Sequence, residues 1–213
     1  MPTTQSIAQA QDLASTGESS ARLRIVNGAR SHFFAHGFRS VTMDDLAEEL
    51  GMSKKTLYAH FPSKMALLEA VLVDKFARAD ADLGQVLSGA SADLVSTMRQ
   101  LLACTQRHLQ EIQPPFHRDI HRTAPDMFKL IQVNRRKLIK RHFGRLLKEG
   151  RSHGTIRKDI PPELMMEILL GTIDAIANPA KLTELELTPE VVLSTILTIF
   201  FQGVLTEESR THL

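Results

Sequence analysis

The sequence of 213 residues is 43% hydrophobic with a formal net charge of +2 at pH 7, so it can bury a substantial core and its overall charge indicates no particular partner. The single cysteine, Cys104, excludes an internal disulfide, and its apolar neighbours favour packing over reactivity. No run of about 18 apolar residues predicts a membrane span, and residues 1–20 lack the basic start and apolar stretch of a signal peptide. We therefore expect a cytoplasmic protein with no membrane partner.

Apolar residues recur every three or four positions from Ala21 to Leu205, without alternating strand-like runs. This spacing predicts an all-α fold. Residues 1–20 are polar and are predicted to form a disordered tail. A first helix is expected from about Ala21 to His36, ended by Gly37. Its buried face should comprise Ile25, Ala29, Phe33 and Phe34.

The segment TMDDLAEELG predicts a short second helix. Thr42 can cap its start, and Asp44 and Asp45 lie in the first turn, where the helix dipole favours anions. Gly51 permits the left-handed backbone that ends it.

The segment SKKTLYAHF predicts a third helix, capped by Ser53 and ended before Pro62, and a fourth helix begins at Ser63 and runs toward Leu87. Two short helices joined by a tight glycine-containing turn, with a helix before them, form the helix-turn-helix arrangement. We therefore predict a three-helix DNA-binding domain over residues 21–67. Its core should include Leu46, Leu50, Leu57 and Phe61.

The stretch Ser53–Lys64 holds three lysines, a histidine and the chain's single tyrosine, but no acid. Lys54 and Lys55 lie in the first turn of the third helix and Lys64 in the first turn of the fourth, where the dipole disfavours cations. A bound anion would resolve this conflict, so the stretch predicts a phosphate-binding surface. The alternative is that these lysines are simply solvated.

The segment TMDDLAEELGMSKKTLYAHFPSKMALL, with the preceding GARSHFFAHGFRSV, resembles the DNA-binding signature of the TetR family of transcriptional regulators. That signature joins a threonine opening the second helix, a Gly-x-Ser turn and a closing Leu-Tyr-x-His/Tyr-Phe-x-x-Lys. Position 44, sometimes a basic base-reading residue in the family, is Asp44, which argues against base reading by the second helix. The resemblance implies phosphate contacts by Thr42, Tyr58 and Lys64. It also implies that Ser53 belongs to the turn at the DNA surface and that Lys54, Lys55, Thr56 and His60 face bases or nearby backbone.

The resemblance also implies a homodimer that binds double-stranded operator DNA. Its larger C-terminal domain, residues 68–213, would bind a small apolar or amphipathic molecule and change the spacing of the two DNA-binding heads. In this part of the chain, LVSTMRQLLACTQRHLQEI is an amphipathic helix, followed by helices over about Phe116–Arg122 and Pro125–Glu149, the last closed by Gly150. The expected effector wall comprises Met98, Leu102, Thr105, His108, Phe116, His117, His121 and Met127.

The charge of the C-terminal domain is uneven. Residues 116–151 contain eleven Lys or Arg against three acids, whereas residues 161–213 contain two against eight. The basic stretch Arg135–Arg151 is interpreted as a solvated helix face. Attraction to nucleic acid, to an acidic membrane surface or to the acidic C-terminal segment stays open.

The last two predicted helices, PPELMMEILLGTIDAIANP and TPEVVLSTILTIFFQGVL, are apolar on almost every side. Such helices must be covered on both faces, and a second copy could supply the cover as a four-helix interface. One large monomeric core is the alternative. The predicted interface comprises Leu169, Thr172, Ala175, Ile196, Phe200, Phe201 and Val204.

His117 and His121 are four residues apart and would share a helix face, with His108 or Asp126 available to complete a metal site. A bare pair is weak support, and we predict no metal and no cofactor. An enzyme is not predicted, because no nucleophile, phosphate-binding loop or pair of acids accompanies these histidines in the sequence. The sequence therefore favours a dimeric, ligand-responsive transcriptional repressor. The alternative is a DNA-binding dimer of the same fold, an activator or architectural protein, without a small-molecule effector.

Overall fold

The computed structural model describes residues 4–89 and 94–210, and the side chains of residues 19–89 and 94–209. This part of the chain contains eleven helices and no strand, which confirms the predicted all-α class. None of these helices combines the length and apolar character that crossing a membrane requires. The helices are α1 (Thr4–His36), α2 (Met43–Glu49), α3 (Lys54–His60), α4 (Lys64–Ser88), α5 (Leu94–Gln110), α6 (Pro114–Thr123), α7 (Pro125–Ser152), α8 (Pro162–Ile176), α9 (Pro179–Glu184), α10 (Pro189–Val204) and α11 (Glu207–Arg210).

The predicted caps of the second and third helices are confirmed, and Ser63, the predicted start of the fourth helix, also forms a cap. Thr42, Ser53 and Ser63 each accept a hydrogen bond from the backbone N–H three residues later, at 3.1, 3.1 and 3.0 Å. Gly37 and Gly51 have φ angles of +90° and +61°, the left-handed conformation that glycine adopts without strain. These local signals place α2 and α3 as separate short helices joined by a tight turn.

The N-terminal head, formed by α1 to α3 and the start of α4, has its own apolar core. Leu46, Leu57 and Phe61 are fully buried in it, as predicted. Helix α6 also enters this core through Phe116 and Ile120. The core of the head therefore extends past residue 67, the predicted end of the domain.

A second core lies between the C-terminal half of α4 and helices α5, α7, α8 and α10. The rings of Phe143 and Phe201 stack in it with centroids 5.7 Å apart. Cys104 is fully buried there, and its burial raises the pKa of the thiol, so it packs as a small apolar group.

Two helix boundaries and one additional helix differ from the sequence-based expectation. The predicted disordered tail is helical from Thr4 onward. Residues 4–16 contain several good helix formers and lack glycine and proline. Residues 1–3 lie outside the described part. Gly150 does not end α7. It is buried inside the helix, and Gly154, with a φ angle of +77°, follows the true end. Helix α9 was not predicted.

Candidate DNA-binding surface and ligand cavity

Helix α3 buries one apolar side chain and exposes a row of polar side chains. Leu57 is buried against the head, whereas Lys54, Lys55, Thr56 and Tyr58 are exposed. Tyr58, although aromatic, exposes 46% of its surface. A short helix that presents such a row of polar side chains on a rigid three-helix core has the form of a major-groove reader.

Lys54 is not unopposed, contrary to the sequence-based interpretation. Its Nζ donates to Asp44 Oδ2 on α2 at 2.6 Å, and this contact raises the pKa of Lys54. The two residues are ten positions apart, so the twelve-residue window that lacked an acid did not include the partner. Lys55 remains exposed beside this pair.

Lys64, in the first turn of α4, is partly buried. Its Nζ lies 4.4 Å from the ring centroid of Phe38 and 3.4 Å from the carbonyl oxygen of Arg39. Burial lowers the pKa of Lys64. The remaining predicted DNA contacts lie around it: Thr42 and Ser53 are exposed caps, and the partly buried His60 accepts a hydrogen bond at its carbonyl oxygen from Arg22.

A cavity of about 340 Å³ lies behind the head, between α4, α5, α6, α7, α9 and α10. Four of the predicted effector contacts line it: Thr105, His108, Phe116 and His117. The other four do not. Met98 is in the second core, Leu102 packs against that core, His121 is exposed, and Met127 packs against the core of the head.

Much of the cavity wall was missed from the sequence. Its further lining residues include Leu72, Lys75, Phe76, Arg135, Pro179, Leu182 and Leu193. The apolar spacing of α4 could have indicated its contribution. The short helix α9, however, has no buried residue and left no periodic signal.

Lys75 is buried, with 5% of its surface exposed, in a chain of polar contacts along the cavity wall. Its ammonium pairs with Glu111 and lies 3.1 Å from His108 Nδ1. Because an ammonium can only donate, Nδ1 is the acceptor, and Nε2 carries the proton that it donates to Asp82 at 3.0 Å. Burial lowers the pKa of both Lys75 and His108. The cationic group is thus neutralised by its own neighbours.

The described residues bring one trio of potential metal ligands together: Asp82, Cys104 and His108, with donor atoms within 4.8 Å of one another. The hydrogen bonds of His108 already occupy both ring nitrogens. The raised thiol pKa of Cys104 and the nearby Lys75 ammonium also oppose a cation. The suggested pair of His117 and His121 does not form such a trio within the described side chains.

Helix α6 contacts both the cavity and the head. Phe116 and His117 line the cavity, whereas Asp119 Oδ2 accepts a hydrogen bond from the backbone N–H of Arg39 at 2.8 Å. At its start, Gln113 N–H donates to the carbonyl oxygen of Phe34 on α1 at 2.9 Å. A displacement of α6 would therefore reach the segment that precedes α2.

The outer face of α8 and α10 leaves large apolar side chains exposed. Ile168 and Ile199 expose 51% and 65% of their surfaces. Of the predicted interface residues, Leu169, Thr172, Ile196 and Phe200 border a groove on this face, and Ala175 is exposed. Phe201 and Val204 are buried in the chain's own second core, because α10 turns that side toward α5.

Five of the eight Lys and Arg residues in the basic stretch Arg135–Arg151 form ion pairs within the chain. Arg135 and Arg136 bind Asp174 on α8 at 2.9 and 2.7 Å, and Arg141 binds Asp80 on α4 at 2.6 Å. Asp174 and Glu167 of the acidic C-terminal segment thus pair with the first part of this stretch, from Arg135 to Lys140, inside one chain.

Comparison with known proteins agrees with this geometry. The family described as "Bacterial regulatory proteins, tetR family" matches residues 25–71, which cover the caps, the turn and α3. The HTH-type transcriptional regulator YvaF of Bacillus subtilis is 26% identical over 172 residues, 79% of this chain and 88% of that protein. The HTH-type transcriptional repressor KstR2 of Mycolicibacterium smegmatis is 26% identical over 160 residues, 72% of this chain and 76% of that protein.

The fold is also shared with solved structures. A transcriptional regulator of the TetR/AcrR family from Thermobifida fusca superposes with a TM-score of 0.58 at 21% identity, over 86% of this chain and 98% of that one. The family consists of transcriptional regulators and is not enzymatic. The helix-turn-helix with its confirmed caps, the family match and the relatives that span most of the chain lead to one assignment: residues 25–71 form the DNA-binding region characteristic of TetR-family transcriptional regulators.

Proposed function

We propose that this regulator is a dimeric repressor that is released from its operator DNA when a small molecule occupies the cavity behind the head. One observation carries the proposal: α4 and α6 each contact both the head and the cavity. A ligand that changes the position of either helix would move the DNA-binding surface with it. The relative KstR2, named a repressor, supports the direction of the response.

On the DNA side, we assign distinct roles by position. Lys55 and Thr56 are exposed on α3 and would meet base edges in the major groove. Thr42, Tyr58 and Lys64 would contact phosphates, which fix the register of the head but carry no sequence information. Lys54 would reach a phosphate only by leaving Asp44.

On the ligand side, the cavity volume of about 340 Å³ lies within the range of roughly 300 to 1,000 Å³ that small-molecule sites occupy. Its wall is predominantly apolar. This favours an effector-binding domain after residue 67 over the alternative, a DNA-binding dimer of the same fold that responds to no small molecule. A chain of the alternative kind would fill this space with side chains.

For assembly, we propose that α8 and α10 pair with the same helices of a second copy. Leu164, Ile168, Val191 and Ile199 are exposed on this face, and the sites of Gly171 and Gly203 are open to close approach. Four apolar helices would form the interface of a two-fold dimer. Two heads related by two-fold symmetry would then bind a roughly palindromic operator.

The operator test begins with fragments selected by the purified protein from random DNA. The chain has no tryptophan and one tyrosine, so Tyr58 supplies its intrinsic emission. We expect this emission to change when the selected fragment is added, and added small molecules to restore it as the DNA dissociates. A protein that keeps its operator with every ligand shown to bind the cavity would contradict release. It would favour the effector-independent alternative.

The assembly test uses two substitutions on α10. Ile199→Asp changes an exposed side chain and should give a folded monomer, whereas Phe201→Asp changes a fully buried one and should unfold the chain. Light scattering and circular dichroism separate these results. An Ile199→Asp protein that remains a dimer would exclude this face as the interface.

A further inference from the structure

His117 is the uncommitted polar side chain of the cavity wall. Its Nε2 is buried with no hydrogen-bond partner among the described residues, and the ring lines the cavity. Burial lowers the pKa of His117, so the imidazole is neutral near pH 7. A half-turn about the Cβ–Cγ bond exchanges Nε2 with Cε1, so the ring can present its nitrogen on either edge. A buried polar atom without a partner is costly, and a ligand atom could satisfy it.

Three cationic side chains line the wall: Lys75 and Arg135 are already neutralised, whereas Arg118 is exposed to solvent. Lys75 pairs with Glu111, and Arg135 Nη2 donates to Asp174 Oδ1 at 2.9 Å. An anionic ligand would have to break one of these pairs and leave a carboxylate without its partner. A cationic ligand would find no carboxylate among the lining residues, since Glu111 and Asp174 lie behind the wall in these pairs and Glu190, which acts on His117 electrostatically, is not part of the wall. The cavity therefore disfavours charge of either sign.

We propose that the effector is an uncharged, largely apolar small molecule whose hydroxyl or carbonyl oxygen hydrogen-bonds to the His117 imidazole. This inference rests on the proposed ligand-dependent release. It adds the chemical class of the ligand and the residue that recognises its polar end. Arg118, which also lines the cavity but is exposed to solvent, is the group that could instead attract an anion at the rim.

The experiment uses the full chain and three carbon skeletons, n-octyl, cyclohexyl and naphthyl. Each skeleton carries in turn a hydroxyl, a carboxylate, a primary ammonium or no polar group. Affinities come from titration calorimetry, with thermal shift as the first screen. We expect the alcohol of at least one skeleton to bind at least about tenfold more tightly than its carboxylate and ammonium analogues, because an unpaired buried charge is expensive.

Variants then locate the oxygen. His117→Leu should weaken the alcohol by roughly 2- to 10-fold, the worth of one hydrogen bond, while leaving the matched hydrocarbon unchanged. His117→Asn should retain part of the alcohol affinity. His121→Leu, on the same helix but outside the cavity, is the matched control and should bind both as the wild type does.

The outcomes separate the two proposals. A carboxylate that binds more tightly than its alcohol, with an advantage lost in Arg118→Ala, would overturn the ligand class and leave ligand-dependent release intact. Equal weakening of alcohol and hydrocarbon in His117→Leu would overturn the role of His117. Failure of every compound to bind, in a protein that still binds its selected DNA, would count against an effector site in this cavity and against both proposals.

Discussion

Replacing Asp44 by asparagine is expected to strengthen DNA binding. Asp44 holds the Lys54 ammonium at 2.6 Å, and both side chains are more than half exposed on the surface assigned to DNA. In the native pair the two charges cancel, so Lys54 neutralises no phosphate while the pair persists. Asparagine keeps the size of the side chain and removes the charge. The substitution therefore frees one cation per head and removes one anion near the phosphates.

The effect is best measured as a salt dependence. Each additional phosphate neutralised makes the slope of log K against log salt steeper by about 0.9, so the two heads of the proposed dimer would give a change of about 1.8. Between about 50 and 200 mM salt, that change corresponds to roughly tenfold more loss of affinity for the variant than for the wild type. At low salt, the variant should bind more tightly.

The assay is fluorescence anisotropy of a labelled, selected operator fragment at four or more salt concentrations. Glu49→Gln is the matched control: it removes the same charge from α2, but Glu49 lies near His32 rather than beside Lys54. We expect its slope to stay close to that of the wild type. Weaker binding by Asp44→Asn with an unchanged slope would refute the reasoning. It would indicate that Asp44 itself accepts a hydrogen bond from the operator, for example from a cytosine amino group.

Three further predictions follow from other parts of the molecule. Gly150→Ala should lower the free energy of unfolding by about 1 to 3 kcal/mol, because the added methyl group would lie 2.5 Å from a side-chain carbon of Leu94. Gly144→Ala, in the same helix, has room for the methyl group and is the control. Equal melting temperatures for the two variants would exclude the packing argument. Asp119→Ala should preserve ligand affinity but reduce the effect of ligand on DNA binding, and full ligand response in that variant would show that α6 does not couple through Arg39. Because burial lowers the pKa of His117, the folded state binds a proton there less readily than the unfolded state does. The folded state is therefore fully stable above the unfolded pKa of about 6.5 and loses stability as pH falls toward the folded pKa. The melting temperature should therefore drop on acidification, and His117→Asn should reduce that drop; a variant with the wild-type pH profile would contradict the assignment.

The local signals in the sequence predicted the head well because they act over three or four residues. Thr42 and Ser53 were predicted from the sequence to cap helices, and both do so in the structure. The pair of Asp44 and Lys54 could not be predicted in the same way. It depends on how α2 and α3 cross after the turn at Gly51, which the helical periodicity of either segment does not specify. An acidic residue that interrupted the family pattern was the available clue.

The cavity was predicted less completely for a related reason. Periodicity identifies the apolar face of a helix, but not whether that face lines a cavity or fills a core. Met98 and Thr105 lie on the same predicted apolar side of α5, yet the first is in the second core and the second lines the cavity. Their separation depends on where α7 and α10 cross α5. The same limit explains Phe201, whose apolar helix was interpreted as an interface although that side faces inward.

Ion pairs, and not apolar contacts alone, connect the cavity with the head, although burying Lys75 carries a desolvation cost. A methionine at this position would avoid the desolvation penalty that lowers the lysine pKa. The lysine, however, holds Glu111, the residue that follows α5, and the Glu111 carboxylate also lies 3.1 Å from Arg30 Nε on α1, an ion pair without hydrogen-bond geometry. A ligand that shifts Lys75 would therefore leave Glu111 to Arg30 alone and alter the contact between α5 and the first helix of the head. Apolar side chains can slide past one another at little cost, whereas paired charges favour discrete arrangements, so this ionic chain would convert occupation of the cavity into a defined displacement of the head.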